Sequence, residues 1–226
     1  MAAPPSRGLV PPTQFISLAE RFGMISELGD GVIDAALGQL RRWLNQGLAI
    51  KLSINLSMAQ LHQADLAQRM KRALQRHRID PALVTFEITE SMAMLDTVAT
   101  LRSISALVGL GASMSIDDFG VGYSSLSSLR QIPAREIKLD RSFVTDLTTS
   151  ADACAIAEAV IRLAHALRLT VVAEGVETPA QRDLLLGLNC DEMQGYWFAR
   201  PMPADALAVW LKSWPGKQPV AVVEMQ

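Results

Sequence analysis

Residues 112–117 read ASMSID, and the alternation within them decides the fold. Met114 and Ile116 take one face of an extended segment, while Ser113, Ser115 and Asp117 take the other, because successive strand side chains point to opposite faces. The same alternation runs through IKLSIN (50–55), LVTFEI (83–88), REIKL (135–139) and TVVAE (170–174), and weakly through MQGYWF (193–198). Helix-like stretches separate these strands at 66–77, 97–108, 151–167, 178–188 and 203–213. Two more precede them, at 13–21 with Thr13 as N-cap and at 29–46. Strands alternating with helices imply a mostly parallel sheet, either closed as a barrel or doubly wound. Parallel strands covered on both faces normally read as continuous apolar runs. Here one face of each strand instead ends, near its C-terminus, in a polar residue: Asn55, Glu87, Asp117, Lys138, Glu174 and, less firmly, Gln194. In a β/α barrel those ends converge on one mouth, where active sites lie. The pattern therefore favours the barrel.

Three carboxylates, an amide and an amine at one mouth are costly without a cation or a charged ligand. Oxygen ligands without histidine point to Mg²⁺ or Mn²⁺ rather than zinc. Asp118, next to Asp117, supplies adjacent carboxylates, one of which can bridge two metals as in in-line attack on phosphate esters. The residues themselves thus indicate a metal-dependent phosphoryl-transfer site. Blander readings stand beside this one. Asp117-Asp118 can be a strand end and a helix cap, Glu177 before Thr178-Pro179 a helix-start charge, and Ser57 the cap of the helix after Asn55. His62, His77 and His165 fall on helices, and the four tryptophans read as packing.

Bulk properties limit the alternatives. In 226 residues, 21 basic and 23 acidic side chains give a net charge of −2, which argues against DNA or RNA as a partner. Half the residues are hydrophobic, enough for a sizeable core. Two cysteines, Cys154 and Cys190, suit a reduced, cytoplasmic setting. The lead-in at 1–12 has no signal-peptide core, and no run approaches a membrane span, so no membrane contact is expected from this segment, although a parent protein can carry an anchor. Residues 13–213 form the expected domain, and 214–226 read as a tail.

The polar strand ends sit inside longer strings that resemble the EAL domain family of cyclic di-GMP phosphodiesterases. These strings are INLS (54–57), FEITES (86–91), IDDFGVGYSSL (116–126), IKLDRSFV (137–144), VVAEGVET (171–178) and QGY (194–196), in the family's order. The resemblance implies a TIM-like (β/α) barrel that hydrolyses cyclic di-GMP to linear pGpG with two Mg²⁺ or Mn²⁺ ions. It implies metal binding by Asn55, Glu87, Asp117 and Asp118, and a catalytic group of Lys138, Glu174, Glu177 and Gln194. Lys138 would orient or deprotonate the attacking water, and Glu174 would help complete the second metal's site. Glu90 would brace the loop 118–125, which is tied to activity and to a homodimer.

Two departures accompany the resemblance. Val121 stands where the family usually has threonine. The Glu-Ala-Leu strand and the strand before it should precede the equivalent of Pro4, so the barrel is expected to lack its first two strands, a glutamate ligand and a nearby arginine. An unclosed barrel exposes unpaired edges and calls for completion by something else. Two other functions stay open on this reading: a receptor that binds cyclic di-GMP without cutting it, and a nucleotide-independent interaction module.

Overall fold

A computed structural model describes residues 12–48, 50–94, 98–122, 126–214 and 222–225. Those residues hold one sheet of seven parallel strands: β1 (Lys51–Asn55), β2 (Val84–Thr89), β3 (Ser113–Phe119), β4 (Glu136–Leu139), β5 (Thr170–Ala173), β6 (Glu192–Met193) and β7 (Val222–Met225). The spatial order is β6-β5-β4-β3-β2-β1-β7. The first six strands follow chain order and curl into a half-barrel surrounded by helices. Five of the six expected strands are full elements; β6 is only two residues long.

The alternation has the physical outcome expected of it. Leu52, Ile54, Val84, Phe86, Ile88, Met114, Ile116, Ile137, Leu139, Val171 and Ala173 are all buried beneath the helices. The opposite face carries Ser53, Thr85, Glu87, Ser115 and Lys138, which are buried too, so polar groups fill the inside of the curl. Helices run over Leu66–His77, Val98–Gly109, Ala151–Ala166, Pro179–Gly187 and Ala204–Ser213, within a residue or two of expectation. Ser57 accepts from the Gln60 amide while the Gln60 side chain accepts from the Ser57 amide, a capping box that starts the short helix Met58–Leu61. Thr178 and Gln181 repeat that arrangement at the helix Pro179–Gly187.

Two boundaries differ from the sequence expectation. The first helix, Pro12–Arg21, already includes Thr13, so Thr13 is not its cap. The second begins at Ile25 rather than 29, since Ile25 packs into the core and Gly29 and Gly31 are carried inside the helix. Trp43, 2% exposed, donates its Nε1–H to the Ala204 carbonyl at 3.3 Å and so joins this helix to the last one. The lead-in up to residue 11, the helix position 97, loop positions 123–125 and tail positions 215–221 lie outside the described residues.

Phe86 is the largest side chain on the packing face of β2, between β1 and β3, and is 1% exposed. Phe86→Ala is expected to lower stability by about 3–5 kcal/mol, read as a lowered urea midpoint at unchanged slope.

Candidate active site

The site is built from strand ends set by register. Asn55 stands level with Glu87, and Thr89 with Asp117, so the β2 pairing brings β1 and β3 to the same mouth. The ladder between β3 and β4 shifts between Ile116 and Phe119. Past that irregularity Asp118 takes φ = +55° and its amide donates to Asp117 Oδ1 at 3.0 Å, which leaves Asp118 exposed while Asp117 stays half-buried. On β4, Lys138 is level with Val172, and Glu174 follows the end of β5 with its amide donating to the Leu139 carbonyl at 3.1 Å.

Lys138 ties these ends together. Its Nζ lies 2.6 Å from Glu174 Oε1, 3.2 Å from Glu87 Oε2 and 3.4 Å from Asp117 Oδ1. The lysine side chain is 3% exposed and that of Glu87 is fully buried, so the contact with Glu87 is an ion pair taken out of water. Glu174 and Asp117 face the opening, at 19% and 15% exposure. With those groups ionised, one positive charge meets three negative ones, and the cluster carries about −2.

The remaining expected residues occupy distinct places. Glu90 opens the short helix Glu90–Met94, is 2% exposed, and accepts from the Gly120 amide at 2.8 Å and the Gly122 amide at 3.1 Å. It therefore holds the backbone of the segment that carries Asp118. Glycine is required there: Gly120 has φ = +101°, and a Cβ on it would lie 2.7 Å from the Phe143 ring. Val121 of the same segment is 65% exposed. Glu177 stands at the rim, paired with Arg141 at 3.1 Å, and its amide donates to Gln181 Oε1 at 2.9 Å. Gln194 is half-buried beyond β6, with its amide on the Ala173 carbonyl at 2.8 Å and its carbonyl accepting from Val176. Neither Glu177 nor Gln194 joins the Lys138 cluster directly.

Oxygen donors suited to a hard divalent cation are thus present, but Lys138 lies at their convergence. Among the described residues no three His, Cys, Asp or Glu side chains sit together as a metal cage. The donor set fits the chemistry of Mg²⁺ or Mn²⁺, with the lysine offsetting only part of the carboxylate charge.

Two residues were not singled out by the sequence reading. Arg141 reaches Glu177 across 36 positions, and its stem lies against Gly175, whose φ is +71°. Nothing local in the sequence signals that pair. Glu136 was visible, since it shares the inner face of β4 with Lys138. Burial pushes its carboxyl above the ordinary value near 4.5, Glu192 pushes the same way, and Ser115, Lys138 and Lys51 pull it back.

The family model described as "EAL domain" matches residues 3–201. The chain belongs to the EAL domain family. It is 44% identical over 204 residues to the "Bifunctional diguanylate cyclase/cyclic di-GMP phosphodiesterase MucR" of Pseudomonas aeruginosa, covering 90% of this chain and 30% of that protein. It is 40% identical over 211 residues to the "Cyclic di-GMP phosphodiesterase NbdA" of the same organism, covering 93% of this chain and 27% of the relative. The solved structure "PaMucR Phosphodiesterase, c-di-GMP complex" superposes with a TM-score of 0.85 at 44% identity, covering 90% of this chain and 83% of that one. This EAL chain therefore spans about a third or less of the length of those curated relatives.

Glu136 makes the stability of the fold depend on pH. A carboxyl whose folded pKa is raised leaves the folded state holding more protons than the unfolded state, so stability falls as pH rises from about 4.5 to the folded value. Glu136→Gln is expected to remove that loss. Thermal midpoints of variant and parent should be similar at low pH and separate in favour of the variant toward neutrality.

Proposed function

We propose that the barrel mouth hydrolyses cyclic di-GMP to the linear dinucleotide pGpG by in-line attack of water on one phosphodiester. The observation that carries this is the buried Lys138 held by Glu87, Asp117 and Glu174 at the strand ends of an EAL domain. In the reaction a water oxygen–phosphorus bond forms, the ring phosphorus–oxygen bond breaks, the water proton passes to a base, and the leaving oxygen regains a proton. Asn55, Glu87, Asp117 and Asp118 are the residues proposed to hold two divalent cations, Mg²⁺ or Mn²⁺. Such ions, when bound, make water a stronger nucleophile and offset phosphate charge.

The electrostatics support that assignment. A cluster near −2 repels a ligand with two phosphodiester charges, and binding needs added cations to reverse the sign. Lys138 is proposed to orient the attacking water through its ammonium, which Glu174 holds at 2.6 Å, while a neighbouring carboxylate takes the water's proton. Glu177 and Gln194 would line the substrate side, and Glu90 would hold the backbone that presents Asp118. The exposed Val121 segment is the proposed homodimer contact. Among the described residues no helix is long and apolar enough to cross a membrane.

A second reading, binding of cyclic di-GMP without cleavage, has one observation in its favour: Lys138 already neutralises part of the carboxylate ring from within.

One experiment separates them. Purified protein with Mg²⁺ or Mn²⁺ and cyclic di-GMP is followed by chromatography, with calorimetry in parallel. Appearance of pGpG, cut about 10²–10⁴-fold in Lys138→Ala, is the expected outcome. Binding with no product supports the receptor reading, and neither binding nor product under any metal condition overturns both.

A further inference from the structure

The chain beyond β4 and the chain beyond β5 meet at two matched ion pairs. Glu174 Oε1 lies 2.6 Å from Lys138, and further along both segments by the same step Glu177 Oε1 lies 3.1 Å from Arg141. Asp140 accepts from the Ser142 amide at 2.9 Å and caps the short helix Arg141–Thr145, which sets Arg141 at the start of its first turn. Between the two pairs stands Gly175, with φ = +71°. A Cβ on it would collide with Arg141 Cγ and lie 3.0 Å from Arg141 Cβ and Cδ, so the arginine stem crosses bare backbone there. The buried Gln181 closes the far end. Its Oε1 accepts from the Glu177 and Thr178 amides, each at 2.9 Å, and its Nε2 donates to the Val144 carbonyl at 3.1 Å.

We propose that Arg141 is a positioning residue for the hydrolysis proposed above, on which its role rests: its stem and guanidinium fix the segment 174–177, so that Glu174 stays on Lys138 and Glu177 stays at the rim. Residues 174–177 belong to no helix or strand, so side chains must hold them. Glu174 and Glu177 are like charges on that short segment, and Lys138 is already shared among Glu87, Asp117 and Glu174. Arg141 supplies a second cation, and its apolar stem adds a packing contact. The ion pair by itself contributes little to global stability, because its side chains are 62% and 42% exposed. The close approach at Gly175 gives it a local effect instead, since only glycine leaves room for the stem.

Arg141→Ala in the full chain tests this through two readouts. The first is amide hydrogen exchange, which needs no turnover. Exchange over 174–178 is expected to speed up by about tenfold, while 136–139 and 51–55 stay as in the parent and the melting temperature is nearly unchanged. The second is kinetic, with Mg²⁺ or Mn²⁺ and cyclic di-GMP. Misplacing a reacting group by about 1 Å can cost about 10²-fold, so kcat is expected to fall about 10- to 100-fold while the affinity measured by calorimetry stays as in the parent. A parent that makes no pGpG defeats the hydrolysis reading alone, and the exchange readout then decides the positioning by itself. Unchanged exchange over 174–178 overturns the proposal. In an active parent, so does an unchanged kcat, and so does a loss of affinity in place of kcat, which would make Arg141 a substrate contact.

Discussion

The buried Lys138 ammonium is the constraint on which the mouth of this barrel depends. It is 3% exposed and 2.6–3.4 Å from carboxylates on or just beyond three different strands. Taking a lysine and a glutamate out of water costs several kcal/mol per ion, a cost offset only by close and well-aligned partners. Hydrophobic residues of the same volume would serve a scaffold better. The strands must therefore hold their ends in one geometry, and the fold supplies this through parallel register: Asn55 with Glu87, Glu87 with Ser115, Ser115 with Glu136.

The same lysine sets the electrostatic state of the mouth. One ammonium against three carboxylates leaves an acidic cluster at the opening of a domain whose net charge is only −2. A site of that sign attracts cations first and phosphates only through them. The segment behind Asp118 is held just as firmly, since Glu90 is buried with both Gly120 and Gly122 donating to it. Interior carboxylates thus do two jobs at one mouth. Glu87 faces the Lys138 ammonium, while Glu90, three residues on, turns to hold the backbone after Asp118.

Much of this was legible in the residues. Alternation in 50–55, 83–88, 112–117, 135–139 and 170–174 identified five strands and their polar ends, because a period of two is imposed by strand geometry itself. Helix starts were legible where a hydroxyl side chain binds the backbone, as at Ser57 and Thr178. What escaped depends on partners far away in sequence. The stretch 193–198 loses its strand after Met193 because Gly195 turns at φ = +156° and a Cβ there would collide with the Val176 backbone. The Arg141–Glu177 pair at the rim has no local signature. Residues 222–225 lack alternation and read as tail; only the adjacent edge of β1 makes them a strand.

That last case shows how edges govern this architecture. A closed β/α barrel has no edges, whereas the described sheet has two, β6 and β7. At β6 the problem is limited by shortness: two residues form the strand, and the chain then folds back, Trp197 donating to the Val176 carbonyl at 2.9 Å. At the other end β1 is five residues long and ends in Asn55, which stands level with Glu87. Along its outer side β7 adds backbone in parallel register. The two ends of the sheet thus differ, one stopping at a two-residue strand and the other extended by an added parallel strand.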